Sequence, residues 1–385
     1  KRFLFGFGIF ALIIVGLILL SGKVIKPPLQ GGVFYYEGEG KDLKLFYTNA
    51  GNEPQYLITI PAEEEAGKYK VPLHNYVTHN GNVLIYFEKT GQVPVQLTPG
   101  KEDFTANRII YKPKYVDLKS GSIKDISQDI DAGSLVFSQD DKEIAWILNI
   151  KESTIEEIEK SGKKREVWLS NVDGGNARRL TTLDEKVILL QKWNNNYIYF
   201  RGIRGAGYYS LGSIDIRNGK VRYIQPKYCS EDLSNCQNFI FSPSGDLFIY
   251  EAGLERDGKK GIEMFVESFD GKKSWQILVE NYISERLWAS DEKSILYTEQ
   301  ETVQEPGSVF VIKERAHLVN LKTNEDKEIY TGSYLSQITF DGNGKYLYFI
   351  EKETDQKFNL VRLNLKDNKT EILDSGEYDQ LMIFS

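Results

Sequence analysis

"NFIFSPSGDLFIY", residues 238–250, decides how the rest of this chain folds. Two short runs of aromatic and β-branched residues flank Ser242-Pro243-Ser244-Gly245. Such runs read as strands. The tetrapeptide between them has the residues that tight turns require. The segment is therefore a hairpin. "EVWLSNVDGGNARRLT", residues 166–181, is a second hairpin built around Asp173-Gly174-Gly175.

The first pattern recurs as "LVFSQDDKEIAWI" from Leu135, "LWASDEKSILYT" from Leu287 and "ITFDGNGKYLYFI" from Ile338. Weaker copies are "YVTHNGNVLIYF" from Tyr76 and "KWNNNYIYF" from Lys192. Val77, Phe137, Trp193, Phe241, Trp288 and Phe340 mark the copies, at spacings of 60, 56, 48, 47 and 52. Each copy is followed by a second hairpin. Its turns are Lys119-Ser120-Gly121, Asp173-Gly174-Gly175, Arg217-Asn218-Gly219, Asp270-Gly271, Thr323-Asn324 and Lys366-Asp367-Asn368. The unit is four strands, a to d, in about 50 residues, which is the signature of a propeller blade.

The wording resembles the TolB-type and WD40-like propeller repeats, and that of the propeller domain of dipeptidyl peptidases. Phe241–Tyr250 and Val167–Thr181 carry the match to a pattern of the form FSPDGxxIaY…IwvxdxdGgxxrxLT. The resemblance spans residues 31–385 and is strongest over 135–280. It implies a fold and leaves the activity open, since such propellers host many functions. TolB-type propellers bind partner proteins with one face. The chain shows no N-terminal α/β domain of the TolB kind, so those particular partners are not implied.

"QLMIFS", residues 380–385, aligns with the strand-a segments "NFIFS" and "QITFD", and Phe384 lies 44 residues after Phe340. Strands b, c and d for it are found at the other end, in "GVFYYEGEG", "LKLFYTNAG" and "QYLITIP". The expectation is an all-β, seven-bladed propeller of four-stranded blades over 32–385, closed by 380–385 in the first blade. Six and eight blades are the alternative counts.

Phe3–Leu20 is an 18-residue run without a charge, preceded by Lys1 and Arg2. As a helix it rises about 27 Å, near the thickness of a bilayer core. The expectation is an N-terminal transmembrane α-helix within 1–22, then a linker over 23–31, with the propeller on the extracytoplasmic side, in the periplasm or at the cell surface. A cleaved signal peptide is the alternative, but Leu20-Ser21-Gly22 puts a large residue where cleavage wants a small one. A filament-core helix is the other. The chain carries 48 basic and 55 acidic residues and no basic stripe, which argues against nucleic acid.

Cys229 and Cys236 in "YCSEDLSNCQ" are too far apart for a usual zinc pair. A disulfide closing a small loop fits an oxidising compartment. In this repeat type the a–b and c–d turns share one face. The other face holds the b–c segments, read as long charged loops at Glu88–Asn107, Lys151–Arg165, Glu251–Gly261, Glu299–Ser308 and Glu351–Lys357. Elaborated loops on a rigid scaffold mark a binding face, and a protein or glycan partner is expected there. Arg201, Arg204, Tyr208 and Tyr209 rank first as ligand contacts at the channel mouth.

Catalytic motifs are sparse. "GYYSLG", residues 207–212, keeps one of the two glycines of a nucleophile elbow and reads as a strand with Ser210 structural. "DGNGK", residues 341–345, has Lys345 where a calcium ligand belongs and reads as a turn. "GIRGAG", residues 202–207, has the wrong glycine order for a nucleotide fingerprint. The histidines are His74, His79 and His317, and the odd offset of the first two turns them to opposite strand faces. No metal, cofactor or catalytic residue is expected. The reading leans away from an enzyme, with a hydrolase or lyase at the channel mouth or a surface-filament subunit as the alternatives. "STIEEIEKSGKK", residues 153–164, predicts one or two helical turns.

Overall fold

The computed structural model describes residues 33–37, 41–48, 54–65, 68–70, 72, 74–96, 105–149, 164–205, 208–256, 259–279, 282–303, 311–354, 357–376 and 382–384. The segment Phe3–Leu20, the linker 23–31 and all but the last residue of the helical turns expected over 153–164 lie outside them. Among the described residues no helix is long and apolar enough to cross a membrane.

Seven four-stranded antiparallel sheets form the protein, with a small ladder of Glu63–Glu65 and Lys68–Lys70 beside them. Blade 1 takes strand a, Met382–Phe384, from the end of the chain. Its strands b to d are Val33–Glu37, Asp42–Thr48 and Gln55–Pro61. The pairs are Phe34↔Phe384, Tyr35↔Ile383 and Tyr36↔Met382. Blades 2 to 7 run a to d in chain order. They begin with Asn75–Val77, Ile130–Phe137, Val187–Asn194, Cys236–Phe241, Tyr282–Trp288 and Leu335–Phe340. Both weaker copies of the repeat are complete blades.

The strands a neighbour one another around the ring, and blade 1 touches blades 2 and 7 through its own strand a. Hydrogen bonds tie them. Tyr76 OH donates to the Ala132 carbonyl (2.7 Å), Leu190 N to Ser134 Oγ (2.9 Å), Gln191 Nε2 to the Phe239 carbonyl (2.8 Å) and Ile383 N to Gln337 Oε1 (2.9 Å). Each strand b buries an aromatic: Tyr36, Tyr86, Trp146, Phe200, Tyr250, Tyr297 and Phe349. Each such side chain contributes on the order of 2–3 kcal/mol of apolar burial.

The turns explain the repeat wording. The c–d turns place Gly121, Gly174, Gly219, Gly271, Asn324 and Asn368 at positive φ. The a–b turns do the same with Gly81, Asp141, Asn195, Gly245, Glu292 and Gly344. Only Gly takes this conformation freely, with Asn and Asp next. On the tight-turn face these turns are linked side to side. His79 N and Asn80 N donate to the Asp141 carboxylate, Gln139 to Asn194, Asn194 to the Ser244 carbonyl, and Ser244 Oγ to Glu292 Oε2.

Three of the b–c segments, in blades 2, 5 and 6, differ from the long loops expected; most of Lys151–Arg165 lies outside the described residues, and Glu351–Lys357 keeps a loop between its strands. In blade 2 the ladder continues from Val83↔Asp117 out to Gln96↔Thr105. It reaches Arg256↔Lys259 in blade 5 and Val303↔Val311 in blade 6. These are hairpin arms, because opposing backbone groups go on pairing once the register is set at the blade. Strands b and c of blade 2 have 14 and 13 residues, against 7 each in blade 7. At 3.3 Å per residue the blade 2 arm stands about 20 Å proud.

Candidate long-loop-face site

The antiparallel course of each blade puts the b–c arms and the d–a links on one face. Among the described residues eleven large apolar side chains are exposed. Tyr209, Ile262, Leu278, Tyr282, Tyr334 and Ile110 lie at that end of their blades. Tyr223 and Ile372 are on outermost strands, and Tyr56, Ile123 and Tyr197 are at the tight-turn end of theirs. Five of the first six belong to blades 4 to 7, around one sector of the mouth.

That sector is lined by polar groups. Glu251 on strand b of blade 5 is 3% exposed and pairs with Arg286 on strand a of blade 6. It also accepts from Gln237 Nε2 (3.0 Å) and Asn238 Nδ2 (2.9 Å). Glu314, fully buried on strand c of blade 6, accepts from the Leu335 amide (2.6 Å) and Gln300 Nε2 (2.5 Å). Burial pushes its carboxyl up despite those donors. Glu285, on the same strand a as Arg286, has a carboxylate with no hydrogen-bond partner among the described residues. Burial pushes it up too, with Arg286 opposing and Glu314 reinforcing.

Of the four ligand contacts expected, Arg201 and Tyr209 come together. Arg201 pairs with Leu189 and Leu211, and Tyr209 pairs with Ile203, two residues along from Arg201. They are diagonal neighbours on one sheet face. Arg201 is half-buried, and burial lowers its guanidinium pKa while the Tyr209 phenol opposes the shift. The side chains of Arg204 and Tyr208 lie outside the described residues. Cys229 and Cys236 form a disulfide with the sulfurs 2.03 Å apart, at the link from blade 4 to blade 5. Tyr228 beside it stacks on Phe265, with ring centroids 4.2 Å apart.

The other residues singled out by sequence have structural places. Ser210 Oγ donates to Glu185 Oε1 (3.0 Å). Residues 341–345 form the a–b turn of blade 7, with Gly344 at φ +64°. His74 lies edge-on to Phe87 and Tyr111, and His79 Nδ1 is 2.7 Å from Asp141. His317 stacks on Tyr297 and meets Asp326 at 3.0 Å. Among the described residues no group of three or more His, Cys, Asp or Glu is arranged to hold a metal ion. Sequence reasoning missed the Glu251–Arg286 network and Glu285, whose only local signal is an acidic residue beside Arg286 in an apolar run.

No family model matches the chain, and neither does any curated protein sequence. Solved propeller structures do. Prolyl oligopeptidase B from Galerina marginata is 10% identical with a TM-score of 0.55, over 89% of this chain and 51% of that one. An oligogalacturonate lyase in complex with manganese is 12% identical with a TM-score of 0.51, over 78% and 76%. TolB from Acinetobacter baumannii is 12% identical with a TM-score of 0.40, over 76% and 69%. For the first two the likeness at these identities is one of fold alone, and the count of seven blades comes from the sheets described above.

Proposed function

We propose that this protein is a membrane-anchored, extracytoplasmic binding or scaffold module that engages a protein or glycan partner through its long-loop face. The observation that supports it is the gathering of exposed Tyr209, Ile262, Leu278, Tyr282 and Tyr334 at one end of blades 4 to 7, whereas at the tight-turn end the exposed Tyr56, Ile123 and Tyr197 are spread over blades 1, 2 and 4. Exposed aromatic and aliphatic side chains on one rim of a rigid scaffold suit a recognition surface. Phe3–Leu20 would hold the protein in the membrane, and its entry at strand b of blade 1 would turn the long-loop face outward. The test is to compare Tyr282→Arg and Tyr334→Arg with Tyr197→Arg in binding to arrayed glycans and purified envelope proteins. Loss with the first two and retention with the third is expected. The reverse pattern refutes the assignment of the face. Release of the protein from membranes without detergent refutes the anchor.

A second reading, a hydrolase or lyase at the channel mouth, rests on Glu285. A half-buried carboxyl with a raised pKa is suited to general acid chemistry. Turnover abolished by Glu285→Gln would favour it over simple binding.

A further inference from the structure

Among the described residues, arginines withdrawn from solvent generally come with acids. Arg165 reaches Asp131 at 3.9 Å, Arg286 pairs with Glu251, Arg315 is 3.7 Å from both Glu299 and Glu301, and Arg362 donates to Glu371 at 2.5 Å. Among the described residues Arg201 is the exception: it is half-buried and no carboxylate pairs with it. Glu185, an acid at the same end of blade 4, packs on the reverse face of the sheet. A Cβ placed on Gly202 would fall 2.3 Å from Glu185 Cγ, and successive residues of a strand point to opposite faces. Withdrawing a guanidinium from water without a counter-charge is costly, and this chain has acids to spare. The position of Arg201 therefore fits an anion supplied from outside.

Tyr209 narrows the kind of anion. Its ring is exposed beside Arg201 on the same sheet face, and its backbone is fixed by donation to the Asp232 carbonyl (3.1 Å). The rest of the sector offers acceptors and amides: Glu285, Gln237 and Asn238. A run of peptide carboxylates would be repelled by Glu285. Sugar hydroxyls can donate to it, and the flat apolar side of a pyranose can lie on a tyrosine ring.

We propose that Arg201 and Tyr209 form a subsite for a uronic-acid unit of an acidic oligosaccharide. The planar fork of Arg201 takes the carboxylate, and Tyr209 takes the ring. This rests on the reading of the long-loop face as a binding surface.

The experiment is calorimetric titration of the full chain with trigalacturonic acid, its full methyl ester and triglutamate. The acid is expected to bind at least about tenfold tighter than the ester. Arg201→Gln should lower its affinity about 10- to 100-fold while leaving the ester unchanged. Tyr209→Ala should weaken both saccharides. Equal affinity for acid and ester, triglutamate binding as tightly as the acid, or an Arg201→Gln variant that melts normally and binds the acid as before would each overturn the proposal. Should Arg201→Gln not fold, the comparison of acid with ester on the unmodified protein decides. If neither saccharide binds while Tyr282→Arg abolishes recognition of another partner, the uronate subsite falls and the binding face stands.

Discussion

Replacing Arg286 by Met should loosen the joint between blades 5 and 6. The ion pair with Glu251 is out of solvent on both sides, with 9% and 4% of the two side chains exposed. No discount for solvent screening applies. Met fills much of the space of Arg but leaves Glu251 charged in a buried site, held only by Gln237 and Asn238. Breaking a buried pair from one side costs about 3–5 kcal/mol. For a chain of this size, with an unfolding entropy of about 0.8 kcal/mol/K, that lowers the melting temperature by roughly 4–6 °C. Adding Glu251→Leu removes the stranded charge, and replacing both members of a buried pair by apolar residues is often neutral or better. The double variant should therefore melt above the single one. Scanning calorimetry of Arg286→Met, Glu251→Leu and the double variant measures this. A single variant melting within a degree of the unmodified protein, or a double variant no better than either single, would refute the account of the pair as a buried inter-blade lock.

Gly245 and Gly271 have similar positive φ angles, +78° and +73°. A Cβ on Gly245 would lie 2.3 Å from Tyr199 Cε2, whereas nothing is within 4 Å of one on Gly271. Gly271→Ala should cost about 1 kcal/mol, and Gly245→Ala that plus about 1–3 kcal/mol of overpacking, by urea midpoint; equal midpoints would contradict this. Glu285 and Glu314 hold their protons more tightly folded than unfolded. Their stabilising contribution is complete below the ordinary glutamate pKa, about 4.3, and is lost as pH rises through the raised folded values. Glu285→Gln should accordingly flatten the fall of melting temperature above that pH, and an unchanged slope would count against its burial. Deleting Met382–Phe384 removes the inner strand from Val33–Glu37 and bares an edge; light scattering should show aggregation, and an unchanged melting curve would rule out a closing role.

The blade was legible because its turns are chemically marked. Six c–d turns each demand one residue at positive φ, and Gly or Asn stands at every one. The arms were less legible. Glu88 to Asn107 contains Gly91, Pro94 and several charges, a composition that reads as loop. Whether such a stretch pairs depends on the strand opposite, and the Pro94↔Asn107 pairing keeps the ladder intact. Arg201 and Tyr209 could be grouped from sequence because they lie eight residues apart on successive strands of one blade. Glu251 and Arg286 could not. They are 35 residues apart on different blades, and any of 55 acids could have faced any of 48 bases.

This difference follows from how a propeller is made. A repeat is visible where every blade must satisfy the same constraint, at the turns, the buried aromatic of strand b and the end of strand a. Ligand chemistry sits where the blades depart from one another. At the strand-a positions three residues before the repeat markers, blade 3 has Ser134, blade 4 Leu190, blade 5 Asn238, blade 6 Glu285 and blade 7 Gln337. Ser134 and Gln337 accept hydrogen bonds from the next blade and Asn238 donates to Glu251 of its own, whereas the Glu285 carboxylate is left without a partner among the described residues. With Arg201 on blade 4, this sector holds one carboxylate and one guanidinium that no opposite charge pairs with among the described residues. Under the proposed binding role, a ligand that met both would present hydroxyl or ammonium donors to one and a carboxylate to the other, which would put the recognition chemistry in blades 4 to 6 and make the remaining blades the frame that holds them.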